Sequence, residues 1–186
     1  MLKKRLWLYS YSKIRYFYAL QIYKNVLDIM ELNTKIIQII QKGISIEQKL
    51  QEICDILKQS MPHYHWVGFY FVLVNQKKLR LAQFAGEPTE HTIIPFGKGI
   101  CGQVAVSNKN FVVQDVTEQD NYISCGIDVK SEIVVPIFQN GENIGQIDID
   151  SHSVAPFTAE DEILLEFICK LVATQDLSTL FIQGPS

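Results

Sequence analysis

Two cysteines and three carboxylates of this chain stand where side chains can do chemistry. Cys101 and Cys125 each lie beside a glycine, in stretches with turn or helix-start character; Cys54 and Cys169 sit inside regular apolar patterns and read as structural. A thiol on such a turn is accessible and lies near backbone N–H groups, which favour the nucleophilic thiolate. Asp148 and Asp150 flank Ile149 at the end of the apolar run IGQIDID, and Glu132 opens the run before it. Acids there are either solvent-facing alternates at a sheet edge or a cluster. A cluster would raise its own pKa values by like-charge repulsion and attract a cation, either an ammonium group or a metal ion. Oxygen ligands alone would suit magnesium or calcium.

Strand register decides between these readings. Gln139-Asn140-Gly141 is a strong hairpin signal between strands at Glu132–Phe138 and Glu142–Asp150. A two-residue Asn-Gly turn sets Glu132 opposite Ile149 and hides both aspartates from it, unless a bulge intervenes. A three-residue loop sets Glu132 opposite Asp148 and gathers all three acids on one side.

The remaining elements must position this hairpin. Asn33–Gln41 reads as a helix. Ser45, with Gln48 three residues on, caps a second helix whose apolar face is Ile46, Leu50, Ile53, Cys54, Leu57 and Met61. Tyr64–Val74 is aromatic and β-branched and reads as a buried strand. Trp66, Gly68 and Tyr70 share one face, and Gly68 leaves a gap that a ligand can enter. Leu79–Phe84 returns as its hairpin partner. Gly86–Gly99 is a loop carrying His91, and Gly99–Ser107 is a short helix with Cys101 in its first turn, where the helix dipole lowers a thiol pKa. Phe111–Gln114 is a short strand, and Asp115–Lys130 a polar loop carrying Cys125. Thr158 caps the last helix, with Asp161 closing the box. No βαβ repeat is visible, so the fold class is α+β, an antiparallel sheet with helices packed mainly on one face.

The totals bound the function. At 186 residues, 47% apolar and 20% charged, the chain is one globular domain with an extension. A net charge of −3 gives no support for nucleic-acid binding, and no apolar run is long enough to span a membrane. The absence of CxxC and CxxH pairs argues against a zinc site, and the chain reads as cytoplasmic with reduced thiols. Residues 1–29 are basic and aromatic: a surface-binding arm, a packing helix, or a segment ahead of a start at Met30. Residues 30–175 form the domain and 176–186 a tail.

WVGFYF at 66–71, IPFGKGICG at 94–102, SEIVVPI at 131–137 and GQIDIDS at 145–151 occur in an order that resembles a GAF domain, and more narrowly the free methionine-(R)-sulfoxide reductases. The resemblance implies that the substrate is the free amino acid and Cys125 the attacking thiolate. Cys125 would become a sulfenic acid, a second thiol would condense with it, and thioredoxin would reduce the disulfide. It implies no bound cofactor or metal and a homodimer. Asp148 and Asp150 would hold the substrate ammonium, a protonated Glu132 would polarise the sulfoxide, and Trp66 and Tyr70 would wall the methyl group. The chain departs from the family in one place. A further cysteine common in the loop before IPFG is replaced by His91, which leaves Cys101 or an external thiol to resolve the sulfenic acid. A GAF module that binds a small ligand without reducing it is the alternative.

Overall fold

The structure, a computed structural model, describes residues 2–73, 75–119 and 128–181, with side chains from residue 20 onward apart from residue 22. Helix α1 is Leu2–Gln41 and α2 is Ile46–Ser60; strands β1 (Trp66–Leu73), β2 (Lys78–Ala85) and β3 (Ile93–Pro95) follow. After them come α3 (Gly99–Ser107), β4 (Phe111–Val113), β5 (Ser131–Gln139), β6 (Glu142–Ser151) and α4 (Ala159–Val172). The chain divides into two compact units, Met1–Lys35 and Ile36–Ser186. In the first, the helix begins at Leu2 rather than at Asn33, because residues 2–42 contain neither glycine nor proline. Glu31 and Lys35 pair along it at 2.7 Å.

The second unit is built on one antiparallel sheet in the order β3-β2-β1-β6-β5-β4. The sheet is buried on both faces. Val67, Phe69, Phe71, Ile133, Val135, Ile147 and Ile149 point one way and are fully enclosed, with α2 packed on β1 and β2 and α4 on β5 and β6. Trp66, Tyr70 and Val134 point the other way and form a second core with Ile100, Cys101, Val104 and Ala105 of α3. Two helices on one face and α3 on the other agree with the expected α+β arrangement. The chain between Gly86 and Gly99 is not a plain loop, since β3 pairs there with β2.

Local chemistry sets the helix starts. The Ser45 hydroxyl accepts from the Gln48 N–H at 3.2 Å while Gln48 Oε1 accepts from the Ser45 N–H at 3.1 Å, so two orphan donors of α2 are satisfied together. At α4 the backbone N–H and the hydroxyl of Thr158 both donate to Asp161 Oδ2, at 2.8 and 2.9 Å. Asp161 Oδ1 in turn accepts from the Tyr64 hydroxyl at 2.9 Å and meets His63 Nε2 at 2.7 Å. One buried carboxylate thus ties α4 to the entry of β1. Asp161→Ala is expected to cost about 2–4 kcal/mol, because it removes a cap and leaves the buried Tyr64 hydroxyl without an acceptor. Urea unfolding monitored by far-UV circular dichroism measures this as a lower midpoint at unchanged slope.

The hairpin between β5 and β6 is the two-residue turn with an intervening bulge, and not the three-residue loop. Asn140 and Gly141 take positive φ, 53° and 84°, as a two-residue turn of the mirror-image type requires. Gln139 pairs with Glu142 and Phe138 with Asn143; a bulge then shifts the ladder, and Ile137 pairs with Gly145. The Asn143 side chain fastens the bulge by accepting from the Gly145 N–H at 3.1 Å and donating to Asn108 at 2.9 Å. Gly145 is required beside it, because a Cβ there would lie 2.5 Å from the Tyr70 carbonyl of β1. The extra residue, Ile144, brings Glu132 opposite Asp150, neither Ile149 nor Asp148.

Candidate active site

The bulge sets the parity of β6. Gln146, Asp148 and Asp150 point to the α3 side, beside Tyr70, Gly68 and Trp66 of β1 in the same order. On the other flank Asp150 faces Glu132 and Asp148 faces Val134. Three carboxyl groups therefore share one patch, with Asp148 0%, Asp150 1% and Glu132 1% exposed. The solvent-edge reading of the two aspartates is excluded.

Helix α3 brings a thiol to this patch. The Cys101 S–H donates to Asp148 Oδ2 at 3.2 Å, and Cys101, Glu132 and Asp148 each offer a ligand atom within 4.8 Å of the others. The thiol in the first turn of α3 is thus the donor and the carboxylate the acceptor. A cavity of about 190 Å³ opens onto Cys101 and Glu132, walled by His91, Ile94, Pro95 and Lys98. His91 thus stands at the site, as does Lys98, which its sequence position alone did not mark.

The aromatics are placed as wall rather than as gap. The Trp66 indole folds back over Gly68, where a Cβ would fall 2.1 Å from its ring, and stacks on Phe84 at 5.7 Å between centroids. The opening expected at Gly68 is filled by the tryptophan itself. Trp66 Nε1 donates to the Glu87 carbonyl at 3.1 Å and the Tyr70 hydroxyl to the His91 carbonyl at 3.0 Å. Both rings hold the segment before β3 against the site. Cys125 lies outside the described residues. Cys54 and Cys169 are fully enclosed, and burial pushes both thiols up, in keeping with their structural reading.

Burial also dominates the acids. It drives Asp148 up to about 7, against the lowering effect of the Cys101 hydrogen bond. Glu132 is raised well above the carboxylate range by burial and then by the charges of Asp148 and Asp150; Asp150 is raised by burial and by Asp148. This direction favours the neutral acid at Glu132, the form able to donate a hydrogen bond. Because these folded-state values exceed the unfolded ones, the native chain holds more protons between about pH 4 and 7. The cluster's contribution is therefore fully favourable below about pH 4 and is lost as pH rises through the folded values. Chemical denaturation of the free protein, with a chelator present, is expected to show this cluster lowering stability from pH 5 to 7.5, and Asp148→Asn to flatten the fall.

Sequence reasoning missed Gln146. Its amide is 0% exposed, and neither its Oε1 nor its Nε2 has a hydrogen-bond partner among the described residues. Alternation along GQIDID was the available signal, since Gln146 shares its parity with the two aspartates.

Residues 43–174 match the family model for the GAF domain. The free methionine-R-sulfoxide reductase of Escherichia coli (strain K12) is 34% identical over 130 residues, which are 68% of this chain and 77% of that protein. The X-ray structure of free methionine-R-sulfoxide reductase from Neisseria meningitidis, in complex with its substrate, aligns with a TM-score of 0.74 at 34% identity, over 78% of this chain and 86% of that one. The type II free methionine-R-sulfoxide reductase from Thermoplasma acidophilum aligns with a TM-score of 0.69 at 39% identity, over 74% of this chain and 95% of that one. With the same fold and this identity along most of their length, the chain belongs to the GAF domain family and, within it, to the free methionine-R-sulfoxide reductases.

Proposed function

We propose that this protein reduces free methionine-R-sulfoxide to methionine. The observation that carries the reading is the enclosed acidic patch beside a thiol: Glu132, Asp148 and Asp150 on one sheet face, with Cys101 above it and Trp66 and Tyr70 along it. A free amino acid brings an ammonium group, which the aspartates neutralise. A methionine inside a protein has none at that place, so the patch selects the free molecule.

In this reading the Cys125 thiolate attacks the sulfoxide sulfur. Neutral Glu132 donates a hydrogen bond to the sulfoxide oxygen as negative charge develops on it. The oxygen passes to the cysteine, which becomes a sulfenic acid, and methionine leaves. Cys101 then attacks the sulfenic sulfur, releasing water and forming a disulfide, and thioredoxin reduces it at the expense of its own dithiol. Thioredoxin recycling, a homodimer and a cytoplasmic setting are parts of the same proposal and rest on the family resemblance.

The test is oxidation of NADPH by the full chain with thioredoxin and its reductase. Free methionine-R-sulfoxide is expected to drive it. The S epimer and an N-acetylated, C-amidated methionine sulfoxide are expected not to. Absence of both turnover and thiol loss with the free R epimer would leave the ligand-binding module, which the presence of His91 in place of a cysteine favours.

A further inference from the structure

We propose that Cys101, Glu132 and Asp148 form a binding site for a borderline dication of the zinc type, which excludes the sulfoxide while it is bound. The donor set is a sulfur and two carboxylates, from α3, β5 and β6, with their ligand atoms within 4.8 Å of one another. A tetrahedral zinc site needs contraction of only a fraction of that distance, since zinc–sulfur and zinc–oxygen bonds are about 2.3 and 2.1 Å long. The sulfur argues against magnesium and calcium, which take oxygen ligands.

A second observation points the same way. Asp148 Oδ1 and Asp150 Oδ1 are buried without a partner among the described residues, and the Gln146 amide on the same strand face is in the same condition. Buried acceptors of this kind mark a place that a cation or a donor completes. Asp150, directly across from Glu132, is placed to supply a fourth oxygen. The three ligands are far apart in sequence, so no CxxC-like spacing reveals them. Binding displaces the Cys101 thiol proton and any carboxyl protons; no electron moves. The ion reaches the site through the cavity whose wall includes Cys101 and Glu132. Once bound, it occupies the carboxylates that would hold an ammonium group and ties up the Cys101 sulfur.

Binding is measured without substrate, so the result does not depend on the reductase reading. The reduced full chain is titrated with zinc against a chromophoric chelator, and with cobalt(II) to read the thiolate-to-cobalt charge-transfer band. One zinc per chain is expected, and the cobalt band with it. Cys101→Ser is expected to lose the band and to weaken zinc binding by at least about tenfold, and Asp148→Asn to weaken it while keeping the band. Cys125→Ser and His152→Ala, the latter removing one member of the stacked His65–His152 pair, are expected to keep both. Thermal unfolding of each variant checks that it is folded. No zinc retained by the wild type, or equal affinity in Cys101→Ser and the wild type, overturns the proposal. So does a cobalt band lost with Cys125 or a stoichiometry lost with His152.

Discussion

Cys125→Ser is expected to lower turnover of free methionine-R-sulfoxide by at least about a thousandfold, because a hydroxyl cannot take up the sulfoxide oxygen and removal of a nucleophile abolishes the step it performs. Cys101→Ser separates attack from recycling. With reductant absent, mixing with excess sulfoxide is expected to release about one methionine per chain from the wild type and from Cys101→Ser, and none from Cys125→Ser. With thioredoxin supplied, the wild type continues and Cys101→Ser stalls. Loss of the first methionine in Cys101→Ser would make Cys101 the attacking thiol instead. That outcome has a structural counterpart, since Cys101 is the thiol set beside Asp148 in the cavity wall.

Asp148→Asn is expected to move activity and stability in opposite directions. The asparagine keeps the shape and can still accept from Cys101, yet it removes a buried negative charge that no lysine or arginine among the described residues pairs with. Loss of one charged partner of a desolvated ammonium group costs about 3–5 kcal/mol, so kcat/KM is expected to fall by at least about a hundredfold, mostly through KM. The free protein is expected to become more stable at pH 7.5, because burial and the coupling to Glu132 and Asp150 penalise that charge. Steady-state kinetics and urea midpoints on one preparation give both numbers. A variant that lost activity and stability together would show Asp148 acting as a structural group. The trade is of the kind found where a site is built at the expense of the fold.

How much of this is legible in the sequence follows from the range of the interactions. The capping boxes at Ser45 and Thr158 are local, three residues across, and the structure forms both. Alternation places Trp66 and Tyr70 on one face of β1, as it does Asp148 and Asp150 on β6, because the period of two is a property of the strand alone. What lies between strands is not legible in this way. Three residues at Ile93–Pro95 carry too little pattern to announce an edge strand, and β3 exists because β2 offers it a ladder. The gap at Gly68 closes because a neighbouring side chain folds into it, which spacing does not encode. The thiol at Cys101 finds an acceptor 47 positions away. Gln146 escapes notice because one glutamine in an apolar run gives no chemical signal until its burial is known.

The bulge between Ile137 and Phe138 has a consequence for how this family can change by insertion and deletion. Strand orientation is a matter of odd and even, and because Ile144 is left out of the ladder the aspartates stay even with Glu132. A ladder that took Ile144 in, at the same turn, would set Glu132 opposite Ile149, hand Ile147 and Ile149 to the cavity and drive two carboxylates into the apolar layer under α2 and α4. Deleting Ile144 would instead keep Ile137 opposite Gly145 and Glu132 opposite Asp150, because the bulge would vanish with the residue it holds. Point substitutions degrade this site by degrees. One more residue between the turn and the first aspartate inverts it unless a second bulge absorbs the addition, whereas one fewer leaves the acids in place.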